Sequence, residues 1–225
     1  MGRNHQNLSL MMILLLAVLI AGFRNIRYGG WQIEGDALAI QLVAEGIVEE
    51  ATLVPSGGHY PNGYNFQALL AILAIITGQE PSMMQALTTF WIVVIVIGGF
   101  LAYQHLLGDI WLALISTIIL LLMPDFLFPV LRDSHERITW TFALLIIALC
   151  LSLRDRRRMS AAAAKILAIY LLYWGMITSN AFLSSTILFT FAFALLMSQI
   201  INLLKKRRET VNVRENRMVY FLVIG

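Results

Sequence analysis

Six long apolar runs, separated by short polar breaks, constrain this chain more than any other feature. They cover residues 8–23, 83–103, 110–128, 138–153, 161–177 and 182–204. About 20 apolar residues in succession suffice to carry a helix across the hydrocarbon core of a bilayer. A water-soluble fold of 225 residues has no interior large enough for six such segments. The overall balance agrees: 59% of the residues are hydrophobic and 13% charged, against about half and about a quarter in an ordinary soluble domain. The pattern therefore reads as an all-α membrane protein, a multi-span helical bundle in a cell membrane. The first run follows a short segment carrying Arg3 and has no convincing cleavage site before Arg24, so it reads as a retained span and not a signal peptide. A seventh run opens at Met218 and stops at Gly225, too short to cross. Residues 1–225 thus read as a single transmembrane domain truncated at its C-terminus, a fragment or a truncated relative of a longer protein.

Charge sets the expected orientation. Arg154, Arg156, Arg157 and Arg158 follow one apolar run, and Lys205, Lys206, Arg207 and Arg208 follow another. That is where cytoplasmic anchoring charge sits, and it favours membrane anchoring over nucleic-acid binding. The run 66–77 (FQALLAILAIIT) is apolar but short, the length of an interfacial or re-entrant segment. If it crossed, the N-terminus and Arg154–Arg158 would fall on opposite sides. If it lies along the membrane, the N-terminus and both clusters are cytoplasmic, and the positive-inside rule holds throughout. The second arrangement puts residues 24–82 outside as a long first loop containing interfacial helices. It also places residues 129–137 outside as a second loop, a turn at Ser179 and Asn180 as a third, and Gln104–Asp109 in the cytoplasm. Cys150 lies inside a run and supports no disulfide framework.

The outer loops carry the polar chemistry. The first holds Glu34, Asp36, Glu45, Glu49 and Glu50. Leu38, Leu42, Val43 and Ile47 recur at helical spacing, which predicts a helix in the interface with its acids toward water. Glu45, Glu49 and Glu50 read as solvated charges. Glu34 and Asp36 follow the first span closely and so sit at the membrane surface. The second loop reads PVLRDSHERITW, with Arg132, Asp133, His135, Glu136 and Arg137 crowded between two spans. A charge at a helix centre costs about 2.5–3.5 kcal/mol on insertion scales, so the cluster belongs at the interface. Boundary charges in mutual salt bridges are the simpler reading. Anchoring alone, however, does not call for both signs. Two arginines suit phosphate, carboxylates suit a cation, and a histidine suits either a metal or a hydrogen bond. His105 and Asp109 read as solvated, Trp31, Trp111, Trp140 and Trp174 as interfacial anchors, and Gly98–Gly99 as a helix-packing site. No Walker, dinucleotide-binding or HExxH motif is present. No run carries a lone mid-span charge, which argues against a transporter.

The order of these features resembles the GT-C class of membrane glycosyltransferases, which includes oligosaccharyltransferase catalytic subunits and protein O-mannosyltransferases. The resemblance rests on IEGDALAIQLVAEGI after the first span, HYPNGYNFQALLAILAIITG late in the first loop, and MPDFLFPVLRDSHERITWTFALLIIAL around the second. It covers nearly the whole chain but only the N-terminal part of such an enzyme. The family has more spans and often a soluble C-terminal domain, and its first-loop acid usually has an acidic neighbour, where this chain reads Gly35-Asp36-Ala37. The resemblance implies transfer of a sugar from a polyprenyl-phosphate donor to an acceptor at the extracytoplasmic face. It implies Asp36, with Glu34, as catalytic carboxylates, Asp36 acting as general base, and His59 and Tyr60 lining the sugar pocket. Arg132, His135 and Arg137 are implied for the lipid phosphate, and Asp133 and Glu136 for a divalent cation such as Mg or Mn. The alternative is a non-catalytic membrane subunit, or degenerate transferase, that binds a protein partner through its outer loops.

Overall fold

The computed structural model describes residues 3–28, 35–56, 63–153, 162–194, 196–201 and 203. Among the described residues every regular element is helical. They are α1 (Arg3–Tyr28), α2 (Gly35–Glu50), α3 (Asn65–Thr77), α4 (Pro81–Leu87), α5 (Ile92–Leu107), α6 (Ile110–Leu122), α7 (Pro124–Leu131), α8 (Glu136–Leu153) and α9 (Ala162–Ser179). A further apolar helix, α10, covers Ala181–Ile201. A 3-10 turn at Thr88–Trp91 joins α4 to α5, so the chain is helical from Pro81 to Leu107. The helices Asn7–Tyr28, Pro81–Leu107, Glu136–Leu153, Ala162–Ser179 and Ala181–Ile201 are long and apolar enough to cross a bilayer. The protein is therefore a multi-pass membrane protein. Helix α3 is shorter than a span.

Small residues let α1 into the bundle. Ile13, Ala17 and Ala21 recur one turn apart and are fully buried against Ile92, Ile95, Val96 and Phe100 of α5 and Ala113 and Leu114 of α6. Close backbone approach through small side chains replaces the hydrophobic drive that lipid cannot supply. The same device seats α5 on α8, where a Cβ at Gly98 would meet the Leu144 Cβ at 3.3 Å. A second apolar cluster joins α2 (Ile40, Val43, Ala44), α3 (Phe66, Leu70, Ala74), Met84 of α4 and Ile138 of α8. The outward faces stay apolar: Phe23, Ile76, Ile119, Leu167 and Trp174 are all more than half exposed, as lipid contact requires.

The run 110–128 is not one straight span. It breaks at Met123–Pro124, and α6 and α7 meet at 69°. Pro124 has no N–H to continue the α6 ladder and its ring excludes the helical course of the preceding turn, yet it suits the first position of a new helix. Met123 accordingly turns extended, with ψ 119°. The first helix also outruns residues 8–23, continuing to Tyr28. Asp109, read as solvated, caps α6 by accepting from the N–H groups of Trp111 and Leu112 at 2.8 and 2.9 Å. Gly108 ends α5 in the left-handed region at φ 70°. Residues from Ser185 on form a separate unit, of which 185–194, 196–201 and 203 are described. The clusters Arg154–Arg158 and Lys205–Arg208, the 218–225 run and Trp31 lie outside the described residues.

Candidate functional site

Contacts between remote segments define one end of the bundle. There α1 and α9 finish, while α4 and α8 begin: Arg24 reaches Thr89 and Asp133, Gln85 reaches Asp133, and His135 reaches Asn180. The turn Gly108–Asp109 lies at the far end of the 27-residue helix Pro81–Leu107, about 40 Å of helix away.

The link Arg132–His135 between α7 and α8 organises this end. The Arg132 backbone turns extended (ψ 142°), which stops α7, and the His135 carbonyl accepts from Ile138 and Thr139 N–H groups to start α8. Two pairs join this link to the first turn of α8, Arg132 with Glu136 and Asp133 with Arg137, and they face different surroundings.

The inner pair belongs to a buried ionic layer. The Asp133 carboxylate takes Arg24 Nη2 on Oδ2 and Arg137 Nη2 on Oδ1, the latter at 2.9 Å. The three side chains are at most 2% exposed. Arg137 also donates to the carbonyl of Arg132 at 2.8 Å and the hydroxyl of Thr88 at 2.7 Å. Gln85 Nε2 donates to the carbonyls of Asp133 and Ala37 at 2.6 and 3.0 Å, which ties α4 to both α2 and the 132–135 link. Burying an ion costs several kcal/mol, recovered only when its partners and remaining hydrogen bonds are in place. This layer supplies most of them, and they hold the backbone that carries the outer residues.

The outer pair meets Asp36. Asp36 lies in the first turn of α2, where an acid is favoured by the helix dipole. Its Oδ2 accepts from Arg132 Nη2 at 2.9 Å, and the same nitrogen donates to Glu136 Oε1 at 2.8 Å. Arg132 Nε donates to Ser134 Oγ at 3.2 Å, and Ser134 Oγ in turn donates to Glu136. The Asp36, Arg132 and Glu136 side chains keep between 17% and 33% exposure, so the ion pairs here contribute only about 0–1 kcal/mol each. His135 lies beside them, 1% exposed, with Nε2 2.6 Å from Asn180 Nδ2. Burial pushes the His135 imidazole down to about 4, against the raising effect of Asp36 and reinforced by Arg132. The ring is therefore neutral at physiological pH. One ligand atom from each of Asp36, His135 and Glu136 lies within 4.8 Å of the others, an oxygen–nitrogen–oxygen set suited to a divalent cation. In this arrangement Arg132 supplies the positive charge between the two carboxylates, and a cation there would compete with it.

The sequence-derived candidates thus separate. Asp36, Arg132, His135 and Glu136 come together. Asp133, grouped in the sequence reading with Glu136 as a metal ligand, instead has both carboxylate oxygens on arginines, and His135 stands in the donor set. Arg137, assigned to a lipid phosphate, is fully buried under the 131–133 backbone. In both cases the non-helical 132–135 link turns Asp133 toward the buried Arg24 and Arg137 and leaves Arg132 beside Asp36 and Glu136. Glu34, His59 and Tyr60 lie outside the described residues. Sequence reasoning missed Arg24, Gln85, Thr88 and Thr89 and read Asn180 only as a turn residue. The polar trio at 85, 88 and 89 was a usable signal, since that spacing lines one face of the first helical turns of an apolar run.

Family models, curated proteins and solved structures offer no match to this chain.

Proposed function

We propose that the protein is a membrane glycosyltransferase that moves a sugar from a polyprenyl-phosphate donor to an acceptor at the extracytoplasmic membrane face. The observation that carries this reading is the meeting of Asp36 with Arg132, His135 and Glu136, residues almost a hundred positions apart in sequence. They gather at one end of an apolar bundle, where a lipid-borne head group arrives. The orientation is taken from the sequence, where the positive-inside rule assigns the basic clusters Arg154–Arg158 and Lys205–Arg208 to the cytoplasm.

In the proposed reaction Asp36 accepts the proton of the acceptor hydroxyl as the acceptor oxygen bonds to the anomeric carbon. The bond from that carbon to the phosphate oxygen breaks, and the lipid phosphate departs with the electron pair. Arg132, the exposed arginine of the cluster, stabilises the charge that develops there. A divalent cation, when bound by Asp36, His135 and Glu136, supplies Lewis-acid stabilisation of the same phosphate. Asn180 holds the His135 ring, while Asp133, Arg24 and Arg137 fix the 132–135 backbone beneath.

The test is Asp36→Asn in membranes supplied with a prenyl-phosphate sugar. Transfer falls by at least a hundredfold, the range of a lost general base, while insertion and thermal stability stay near wild type because the replaced ion pair is partly exposed. Wild-type turnover by this variant removes Asp36 from the role. A folded, inserted wild-type protein that transfers no sugar favours the non-catalytic subunit instead.

A further inference from the structure

Two helix starts face each other at this end of the bundle. Asn180 closes α9 and opens α10. Its N–H donates to the Met176 carbonyl at 3.0 Å, and its side-chain Oδ1 accepts from the Leu183 N–H at 2.9 Å. Asparagine is among the residues best suited to that capping position. His135 stands at the matching place before α8, where its carbonyl accepts from Ile138 and Thr139. The two side chains meet with Asn180 Nδ2 2.6 Å from His135 Nε2, although 45 positions separate them in sequence. Asn180 is 5% and His135 1% exposed, so solvent offers little to replace either partner.

The cap decides which way this bond runs. A side-chain amide has one oxygen and one nitrogen, and only the oxygen accepts from a backbone N–H. With Oδ1 committed to Leu183, Asn180 turns its NH2 group toward the ring, and that group only donates. His135 Nε2 is therefore the acceptor and carries no hydrogen, since a hydrogen there would set two donors against each other. In a neutral imidazole one nitrogen accepts and the other bears the proton, which places the proton on Nδ1. Both nitrogens are thereby committed. The Nε2 lone pair lies on the Asn180 amide, and protonated Nδ1 has none to give a metal. Whichever nitrogen of His135 turns to Asp36 and Glu136, it does not join them around an ion while Asn180 holds the ring.

We propose that Asn180 is a positioning residue that locks the His135 tautomer and withholds the ring from a divalent cation, so that the ion completes its ligand set only when the His135–Asn180 bond opens. The inference rests on the reading of Asp36, His135 and Glu136 as a cation site and adds a second restraint to it. Arg132 opposes the ion by charge, and Asn180 by the direction of a hydrogen bond. The amide lies in the turn between the spans Ala162–Ser179 and Ala181–Ile201, so the affinity for metal is set from a segment that supplies none of the ligands.

The experiment uses the full chain, labelled with 13C and 15N in histidine, in phosphatidylcholine nanodiscs without a sugar donor. The His135 signals are those missing from His135→Gln. Carbon–nitrogen correlation spectra are expected to show hydrogen on Nδ1 in the wild type and on Nε2 in Asn180→Asp, whose carboxylate still caps α10 but only accepts from the ring. Manganese binding, followed by electron paramagnetic resonance, reads the restraint. Asn180→Ser keeps a capping oxygen for Leu183 and removes the donor to His135. It is expected to tighten binding by about threefold or more, the worth of one neutral hydrogen bond. In a His135→Gln background the same change should have no effect, whereas one acting only through the turn would persist. Asn180→Thr, also a capping residue, takes the place of the serine variant if that does not fold. Hydrogen on Nε2 in the wild type or an Asn180→Asp spectrum matching the wild type's overturns the proposal. So does unchanged or weaker binding in the folded serine or threonine variant, a gain that survives His135→Gln, or no manganese binding by any variant. Neither readout involves sugar, so the transferase reading fails separately. A locked His135 with no transfer by the wild type removes that reading alone, and transfer lost in Asp36→Asn without the lock removes this inference alone.

Discussion

Removing Asp133 tests the ionic layer most sharply. The layer contains two buried cations, Arg24 and Arg137, and one buried anion between them. Asp133→Asn leaves both guanidinium groups buried with no counterion in the layer, a change that costs about 3–5 kcal/mol where one partner of a buried pair is lost. Arg24→Gln is different, because Asp133 and Arg137 then remain as a one-to-one pair. It forfeits one hydrogen bond between charged groups, about 1.5–3 kcal/mol, and relieves the repulsion between the arginines. The two substitutions should therefore be unequal, with Asp133→Asn the more damaging. The combined variant Arg24→Met/Asp133→Leu/Arg137→Met should recover much of the loss, since replacing all buried charges with apolar groups of similar size is often neutral or better. Equilibrium unfolding in mixed micelles with increasing SDS, followed by circular dichroism, gives the differences. If Arg24→Gln costs as much as Asp133→Asn, the charge count is not what governs this layer and the reasoning fails.

Three other perturbations probe separate links. Gly98→Leu forces a branched side chain toward Leu144, whose Cβ lies 3.3 Å from the first added atom. It should destabilise α5 against α8 by about 1–3 kcal/mol as overpacking does, and an unchanged unfolding midpoint would show that the helices part freely there. Arg132→Gln removes the guanidinium that bridges Asp36 and Glu136. Manganese binding, followed by electron paramagnetic resonance, should tighten severalfold; weaker binding would mean that Arg132 is not the ion's competitor. Single cysteines at Gly108 and Leu53 in a Cys150→Ala background should react with a membrane-impermeant maleimide from opposite sides. Labelling of both from one side refutes the placement of the Asp36 cluster and the α5–α6 turn at opposite ends.

The helices were legible because apolar runs of span length leave little alternative in either water or lipid. The break in the third run was harder to see: Pro124 reads as one residue in an apolar stretch, and whether proline kinks a helix or starts a new one depends on what packs beyond it. In the site, composition correctly marked 132–137 as unusual but not which side chains face which way. That follows from the conformation of the non-helical 132–135 link, which no run of residue types announces. Arg24 was hidden for a different reason. It follows the apolar run 8–23 directly and so looks like the first residue of a loop, whereas its partner Asp133 lies 109 positions away.

The two layers at this end of the bundle divide the work by solvent exposure. The inner one has a single arrangement, because each buried charge is held by partners it cannot exchange without a large loss. The outer one is cheap to rearrange: its ion pairs are partly solvated, and Arg132 can leave Asp36 and Glu136 for a phosphate at little cost in stability. A site that must release its own salt bridge to take an anionic head group needs that asymmetry. A lipid phosphate that draws Arg132 away from the carboxylates would break the Arg132–Asp36 ion pair when the donor is in place. Binding and activation would then be one event, governed by the position of a single guanidinium group.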